Sequence, residues 1–516
     1  MARAGRWAEA ADQFLRIVEI VPTDLAAMVQ ATHLLSHQDR YREAHALSLR
    51  AGRIERPVPP EAAVQIGKLL RRFEESEQLQ GLFAETDWRG CRSGHLLTEA
   101  GRLLMTSGLH IQALSMVEHA IAVEPLYAHA HYMRGALLAA ADERDDANES
   151  LQRALSLAPS APHVHWMLSW QQPSGADTKE AEAAVVQERE LLRSSPPGSE
   201  ARAYLGYALH NRLRRLQRYD ESWEALQRGM EAKRQATPYK QDEQTRLFEA
   251  LRALQLPELP ATVPRSGDPR PLFIVGMHRS GTTLLEQLLG RHSTIADGGE
   301  TYTFSAGLSE ATDHHCAGVV DLTTLARLDG RDWDAIGDQW RSYARWRASG
   351  RAALTEKLPS NFLVVGLIAR ALPEARFLHM RRDPMDVCFS NLRTFFGHAA
   401  AYSYDQEQLA TYYLEYQTLM AHWHAQLPGR ILDIDYAELV QDPETRMRGV
   451  MAFCGLPFEP EAMEAGRRGG SVATASLADV RGGISKDCGG AWKPYASDLQ
   501  PLIEARVPAY GIPKED

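Results

Sequence analysis

The chain has few cysteines and no long apolar run, and both shortages exclude classes of protein. Its 516 residues include five cysteines, namely Cys91, Cys316, Cys388, Cys454 and Cys488. Their odd number and wide spacing argue against a disulfide framework or a CxxC metal knuckle, so we expect reduced, buried thiols. No stretch approaches the ~18 apolar residues of a membrane span, and the first residues lack an apolar leader core. We therefore expect a cytoplasmic protein with no membrane span.

Basic residues are also scarce relative to acidic ones. The chain carries 57 Lys and Arg against 67 Asp and Glu, a net charge of -10. Most of its surface would repel a polyanion, which argues against general nucleic-acid binding. With 44% hydrophobic and 24% charged residues, the composition is that of a globular protein with sizeable cores. The length suggests roughly two to four domains.

Small residues recur with a period of 34 in the first half of the chain. One set is repeated in full 34 residues later: Gly101, Ala113, Ala120 and Pro125 return as Gly135, Ala147, Ala154 and Pro159. Small residues let antiparallel helices approach closely, and proline ends the second helix. The pattern resembles the tetratricopeptide repeat (TPR) over residues 1 to about 240, which implies an all-α solenoid. Generic amphipathic helices are the alternative.

The start of the chain fits only part of a repeat. Ala10, Phe14 and Pro22 match a second repeat helix without a first one. We therefore expect the chain to begin inside the helical array.

A change of composition divides the chain near residue 256. Five prolines fall within residues 256–271, where the helical periodicity ends. Beyond them, the apolar segments PLFIVGM, ARFLHM and RILDIDY are each followed by a helical pattern, which predicts an α/β domain with a central parallel sheet. We predict a helical repeat domain at 1–255, a linker at 256–270 and a P-loop-like domain at 271–516.

The segment G276-M-H-R-S-G-T-T283 lies between a predicted strand and a predicted helix. There its backbone N–H groups would converge on an anion at the helix N-terminus, together with the side chains of Arg279, Ser280, Thr282 and Thr283. The spacing is that of an ATP-binding loop, but Thr-Thr stands where that loop needs Lys followed by Ser or Thr. A γ-phosphate usually needs that lysine and Mg²⁺, whereas a singly charged sulfuryl group does not. We therefore expect no metal.

The residues FIVGMHRSGTTLLEQLL resemble the 5′-phosphosulfate loop of sulfotransferases that use 3′-phosphoadenylyl sulfate (PAPS). The RSGTT form is typical of protein-tyrosine sulfotransferases and bacterial relatives. The resemblance implies that the loop binds PAPS through Arg279, Ser280, Gly281, Thr282 and Thr283. Taken alone, the loop also fits a structural turn or a degenerate nucleoside kinase.

Two further segments strengthen this resemblance. In FLHMRRDPMDVCFSN, Arg382 and Ser390 are eight residues apart, and the family assigns that pair to the 3′-phosphate of PAPS. In TEKLPSNF, the resemblance implies that Lys357 reaches the sulfate and stabilises charge on the bridging oxygen. A surface salt bridge of Arg382 and a solvent-exposed Lys357 are the respective alternatives.

The glycine-containing ending TASLADVRGGISKDCGGAWKPY resembles a late sulfotransferase loop that closes over the nucleotide. The resemblance implies that Arg481 contacts the 3′-phosphate, that Ser476 assists Lys357 at the leaving group, and that Lys493 adds a nucleotide contact. The segment departs from the tyrosine-enzyme version in its glycines and basic positions. Tyr436 occupies the place of a tyrosine near the adenine, although a core tyrosine would fit equally.

A general base is needed because the acceptor hydroxyl loses a proton. Glu300 in ADGGET matches the glutamate that similar protein-tyrosine and bacterial enzymes place in a GE turn. His314 and His315 are the alternative, since cytosolic sulfotransferases use histidine.

These residues predict an enzyme that transfers a sulfuryl group in line from PAPS to a hydroxyl or an amine. The catalytic set would be Glu300, Lys357, Arg279 and Ser476, and the product would be adenosine 3′,5′-bisphosphate. Repeat arrays bind peptides, so we expect the helical half to recruit a protein or peptide acceptor, for example a tyrosine, or to form a homodimer. A small-molecule P-loop kinase and an inactive TPR scaffold are the alternatives.

Overall fold

The computed structural model describes residues 6–171, 178–257, 265, 267–316, 318–397, 399–463 and 489–505. Up to residue 253, the described chain is purely helical. Its helices are α1 (Trp7–Ile20), α2 (Leu25–Ser36), α3 (Tyr41–Gly52), α4 (Pro60–Arg72), α5 (Ser76–Glu85), α6 (Gly94–Thr106), α7 (His110–Val123), α8 (Ala128–Ala140), α9 (Arg144–Leu157), α10 (Pro162–Gln171), α11 (Thr178–Ser194), α12 (Glu200–Arg215), α13 (Tyr219–Ala236) and α14 (Gln241–Ala253).

The remainder of the described chain alternates strands with helices. The strands are β1 (Arg270–Gly276), β2 (Ile295–Asp297), β3 (Ala353–Lys357), β4 (Arg376–Arg381) and β5 (Ile431–Asp435). The helices are α15 (Thr282–Gly290), α16 (Thr303–Thr312), α17 (Leu322–Ala326), α18 (Trp333–Ala348), α19 (Val365–Ala371), α20 (Pro384–Leu392), α21 (Gln406–Gln426), α22 (Tyr436–Gln441), α23 (Pro443–Cys454) and α24 (Gln500–Glu504). Short 3₁₀ helices cover Pro359–Val364, Ala401–Tyr404, Pro460–Met463 and Lys493–Tyr495. Within the described residues, no helix has the length and apolar character needed to cross a bilayer.

Consecutive helices of the first half of the chain approach each other closely at small residues. A Cβ on Gly101 of α6 would lie 3.2 Å from the Ala113 carbonyl oxygen of α7, and one on Gly135 of α8 would lie 3.1 Å from that of Ala147 in α9. Both contacts join positions predicted from the 34-residue period. The expected TPR-like helical array is therefore confirmed.

The five strands form one parallel sheet in the order β2-β3-β1-β4-β5. Strand β1 lies in the centre because it is apolar on both faces, and its residues from 271 to 276 are all buried. The sequence predicted β1, β4 and β5 but not the short strands β2 and β3. In a parallel sheet the carboxyl ends of all strands meet at one edge, where ligands bind in open α/β folds. The expected α/β architecture is confirmed.

The helical array and the sheet domain share one hydrophobic core. Tyr207 of α12 and Phe248 of α14 belong to the same buried cluster as Phe273 of β1. The Tyr207 hydroxyl also donates a hydrogen bond to the Leu392 carbonyl, 3.1 Å away. Near residue 256 the chain changes from helices alone to alternating strands and helices. Helices α12 and α14, which precede this point, nevertheless pack with the sheet domain.

The described cysteines Cys91, Cys316, Cys388 and Cys454 are free thiols, and all but Cys316 are buried. Cys488 lies outside the described residues.

The contact between α12 and α13 predicts a sensitive position. A Cβ on Gly206 would lie 2.6 Å from the Gly229 backbone, so Gly206→Ala should force the helices apart and cost about 1–3 kcal/mol of unfolding free energy. Gly81 in α5 is the matched control, because no atom lies within 4 Å of its added Cβ. Gly81→Ala should stabilise by up to about 1 kcal/mol through helix propensity. Urea unfolding of both variants measures the difference, and equal midpoints would contradict this packing.

Candidate active site

The turn between β1 and α15 has an unusual backbone that only certain residues accept. Gly276, Arg279 and Gly281 have φ values of 150°, 72° and 105°. A Cβ on Gly276 would lie 2.7 Å from the Met380 carbonyl oxygen, and one on Gly281 would collide with the Tyr436 ring. Both positions therefore require glycine. Arg279 holds a left-handed conformation that is costly for a large side chain and is concentrated at functional sites.

The start of α15 offers hydrogen-bond donors to an anion. Its N-cap residue is Gly281, and no side chain caps the helix. The Ser280 hydroxyl oxygen is buried and has no hydrogen-bond partner within the described chain. An uncapped helix N-terminus carries unsatisfied N–H groups and partial positive charge. These features fit a bound phosphate or sulfate group, which is the kind of group the sequence predicted here.

Helix α20 is hydrogen-bonded to this turn. The Arg279 Nε donates to the Ser390 Oγ at 3.0 Å. The Asn391 side-chain amide donates to the His278 carbonyl at 2.7 Å. Arg382, which the resemblance pairs with Ser390, lies with its guanidinium 4.6 Å from the Tyr436 ring centre. Ser390 of α20 is thus brought to the loop with Arg279 as its partner, while Arg382, which follows β4, contacts Tyr436.

A buried ammonium group lies beside the turn, at the end of β3. Lys357 is fully buried, and its Nζ donates to the Glu300 Oε1 and lies 3.7 Å from the Glu286 Oε2. Burial opposes the charge on Lys357, but Glu300 and Glu286 raise its pKa above the ordinary value. The Glu300 side chain is 38% exposed, so it is accessible to solvent.

Glu286 is a site residue that the sequence reasoning missed. It lies on α15 and is 2% exposed, and burial, together with Asp297, raises its pKa well above the ordinary range. The protonated form of the Glu286 carboxyl is therefore favoured. Lys357 stays charged and donates its hydrogen bond to Glu300. The available signal was an acidic residue inside the apolar helix pattern TTLLEQLL, since such a residue is costly to bury without a partner.

The turn that carries Glu300 is fixed against β3. A Cβ on Gly298 would collide with the Thr355 carbonyl. The Gly298 N–H donates to that carbonyl at 2.9 Å, and the Asp297 carboxylate accepts from the Gly299 N–H at 2.9 Å. These contacts hold Glu300 next to Lys357.

The remaining predicted residues have different outcomes. Ser476 and Arg481 lie outside the described residues. Lys493 begins a short helix whose preceding Gly490 N–H donates to the Asp386 carboxylate of α20 at 2.8 Å. The segment from residue 489 therefore returns to the helix that carries Ser390.

The two alternative bases lie where the helical array meets the sheet domain. The His314 Nε2 is 2.8 Å from an Asp321 carboxylate oxygen, and its Nδ1 pairs with Asp39. The His315 ring stacks on Tyr41 with centres 5.9 Å apart. Both imidazoles therefore have partners in this contact, whereas Glu300 contacts Lys357.

One group of possible metal ligands occurs in the described residues. His379, His424 and Asp433 place their ligand atoms within 4.8 Å of one another. Burial opposes ionisation of Asp433, but hydrogen bonds from His379 and His424 hold its pKa below the ordinary range. Asp433 also accepts from the Arg381 Nη1 at 2.9 Å. The negative charge of the Asp433 carboxylate is therefore balanced by side chains of the protein.

The comparison with known families bears on this geometry directly. Residues 271–460 match the Sulfotransferase family. The resemblance inferred from the motifs is confirmed over this segment, which contains every described residue of the site except Lys493.

Two curated relatives are similar to this chain. An uncharacterized protein of Aquifex aeolicus (strain VF5) is 29% identical over 71% of this chain. The aligned segment covers only 49% of the length of that protein. A Caenorhabditis briggsae protein named "Putative protein-tyrosine sulfotransferase" is 22% identical over 37% of this chain and 68% of its own length. The second alignment is therefore with a protein whose name is that of a sulfotransferase.

Among solved structures, sulfotransferase STF9 from Mycobacterium avium has 16% identity and a TM-score of 0.29, covering 64% of this chain and 91% of its own. The TPR protein YrrB has 14% identity and a TM-score of 0.25, covering 42% of this chain and 98% of its own. The fold assignment rests on the helix pairing and strand order described above, not on these scores.

The buried ammonium group of the sulfotransferase-like segment yields a stability prediction. Lys357→Met should leave the Glu300 carboxylate without its cation. Because that carboxylate is partly exposed, the loss of stability should be smaller than the ~3–5 kcal/mol that breaking a fully buried ion pair costs. Glu286→Gln replaces a protonated carboxyl with a neutral amide and should change stability much less. Thermal unfolding of the two variants tests this, and a larger loss for Glu286→Gln would refute the assigned protonation.

Proposed function

We propose that this protein is a sulfotransferase that moves a sulfuryl group from PAPS to a hydroxyl or an amine. One observation carries the proposal: the Lys357–Glu300 pair lies beside the uncapped N-terminus of α15. The loop that precedes this helix lacks the lysine of an ATP-binding loop. The family match of residues 271–460 supports the reaction class.

The donor nucleotide would bind across the carboxyl edge of the sheet. Arg279 and the residues from Ser280 to Thr283 would hold the 5′-phosphosulfate, since they surround the start of α15. Arg382 and Ser390 would hold the 3′-phosphate, with Arg481 and Lys493 as further contacts and Tyr436 near the adenine. Fixing both ends of the nucleotide would align it for in-line transfer, so positioning supplies much of the rate enhancement.

In the chemical step, the S–O bond to the 5′-phosphate breaks while an S–O bond to the acceptor oxygen forms. The acceptor proton passes to the Glu300 carboxylate, which is partly exposed. Negative charge gathers on the departing phosphate oxygen, where the Lys357 ammonium, assisted by Ser476, would stabilise it. The released nucleotide is adenosine 3′,5′-bisphosphate, and the scheme needs no metal.

The acceptor would be a hydroxyl on a protein or peptide, such as a tyrosine, recruited by the helical array. The Caenorhabditis briggsae relative carries a tyrosine sulfotransferase name, and repeat arrays present extended binding surfaces. A cytoplasmic location and a homodimer remain expectations from the sequence.

A P-loop kinase is the second candidate on this fold. It would need a lysine at the loop to bind the γ-phosphate, and Thr282 occupies that position. A scaffold with an inactive domain is the third candidate, but the grouping of Arg279, Ser390, Lys357 and Glu300 favours an enzyme.

Two substitutions separate chemistry from donor binding. Glu300→Ala should lower sulfuryl transfer from radiolabelled PAPS by ~10²–10⁴-fold, because it removes the proton acceptor and also the partner of Lys357. Bisphosphate affinity should stay unchanged, since Glu300 is not a proposed contact of the nucleotide. Arg382→Ala should weaken bisphosphate binding by roughly tenfold or more, through loss of a charged hydrogen bond.

Arg446→Ala is the matched control, since Arg446 is an exposed arginine paired with Glu438 at 3.1 Å. It should change neither quantity. Turnover near the wild-type rate in Glu300→Ala would show that another group is the base.

A further inference from the structure

A buried carboxylate precedes Lys357 on β3 and has no part in the chemical step described above. Glu356 is 1% exposed. Its carboxylate accepts hydrogen bonds from the Trp340 Nε1 at 2.7 Å and from the Asn361 side-chain amide at 2.9 Å. Both donors are neutral, and a buried carboxylate that is held by neutral donors is costly. The stability of the fold alone therefore does not explain an acid at this position.

The environment of Glu356 changes its ionisation. Burial raises its pKa to about 7, although the neighbouring donors Trp340, Asn361 and Thr301 oppose this rise. The charge of Glu74, in the turn between α4 and α5, raises the pKa further. Carboxyl groups with strongly shifted pKa values are concentrated at functional sites. At about pH 8, above this pKa, the ionised form of Glu356 predominates.

The side chains of Glu356 and Lys357 lie on opposite faces of the sheet. In the register of β1 and β3, Glu356 pairs with Phe273 and Lys357 pairs with Ile274, and successive residues of a strand alternate between the two faces. The Trp340 ring packs on Phe273 with ring centres 5.4 Å apart. Glu356 therefore lies on the face of α18, away from the Lys357 ammonium, and can influence the site only through other residues.

One neighbour of Glu356 belongs to the turn that carries the proposed base. Thr301 directly follows Glu300, and its hydroxyl is close enough to Glu356 to lower the pKa of that carboxyl. The Thr301 Oγ1 is buried, and no other group of the described chain bonds to it. Trp340 and Asn361, which are both fully buried, fix the carboxylate from α18 and from the 3₁₀ helix after Lys357. The Glu356 carboxylate therefore connects these rigid segments to the Glu300 turn.

The other side of this turn is attached to the backbone of β3. The Lys357 N–H donates to the Gly299 carbonyl at 3.0 Å. Glu300 thus lies between two attachments to β3, one at Gly299 and one at Thr301. Misplacing a reacting group by about 1 Å can lower a rate by ~10²-fold, so both attachments bear on the position of the Glu300 carboxylate.

We propose that Glu356 is a positioning residue for sulfuryl transfer, which holds the Thr301 side of the turn and thereby aligns the Glu300 carboxylate. This role rests on the sulfotransferase function proposed above. A carboxylate suits the task because its two oxygens can accept from three donors at once. A glutamine would offer one oxygen, and its N–H₂ group would face one of the three donors.

The test measures turnover of radiolabelled PAPS by the full-length protein at about pH 8. N-acetyltyrosine amide is the acceptor, and slow transfer to water is the second readout. Glu356→Gln keeps the size of the side chain but removes an acceptor. Thr301→Val removes one hydroxyl at similar shape, and it tests the same contact if Glu356→Gln does not fold.

Glu374→Gln is the matched control. Glu374 is also buried and also contacts α18, since it accepts from the Arg341 Nε at 3.0 Å. It precedes β4 and therefore lies at the amino edge of the sheet, opposite the edge that carries Glu300. Its substitution should lower the melting temperature without changing kcat.

We expect Glu356→Gln to lower kcat by ~10–10²-fold, because the base is misaligned. Thr301→Val should lower kcat by about tenfold or less, the effect of one hydrogen bond. Affinity for adenosine 3′,5′-bisphosphate should stay at the wild-type level in both variants, which also shows that they are folded. Wild-type kcat in the folded variants, or a matching loss of bisphosphate affinity, would overturn the proposal.

A double substitution separates positioning from general damage. In the Glu300→Ala background, Glu356→Gln should not lower the residual rate further, because the group that it aligns is gone. An equal loss in the wild-type and Glu300→Ala backgrounds would show a merely structural role and would overturn the proposal. Wild-type protein that neither binds the bisphosphate nor turns over PAPS would instead remove the proposed function, and the positioning role with it.

Discussion

The site depends on one steric constraint, the close approach of the turn after β1 to its neighbours. Gly276 packs against the Met380 carbonyl of β4, and Gly281 packs against the ring of Tyr436, the first residue of α22. These contacts leave no room for a Cβ, and they accompany the left-handed backbone at Arg279 that directs its side chain to Ser390. They also leave the N-terminus of α15 uncapped at the edge of the sheet. The anion binding and donor orientation that we propose would follow from this turn.

The helical array is part of the same structural unit as this edge. Tyr207 and Phe248 share a core with Phe273, and Arg347 connects the Gly108 turn to the end of β2. Because apolar packing resists gradual deformation, the array keeps a fixed position against the sheet domain.

Much of the fold could be predicted from local patterns in the sequence. The 34-residue spacing of Gly101 and Gly135 indicated close contacts between paired helices, because only small residues permit such contacts. Strands β1 and β4 were visible as apolar runs, whereas β2, with three residues, was too short to show a pattern. The loop residues were visible from their spacing. Glu286 and the Arg279–Ser390 hydrogen bond were not, since both depend on contacts between elements distant in sequence.

The central claim is that the uncapped turn binds the nucleotide of a sulfuryl donor. Thermal shift measurements with adenosine 3′,5′-bisphosphate and with ATP and Mg²⁺ test it most directly. A ligand that binds only the folded protein raises its stability by about 2.7 kcal/mol at a hundredfold excess over Kd. We predict clear stabilisation by the bisphosphate without any metal. Stabilisation by ATP and Mg²⁺ alone would contradict it and would point to a kinase.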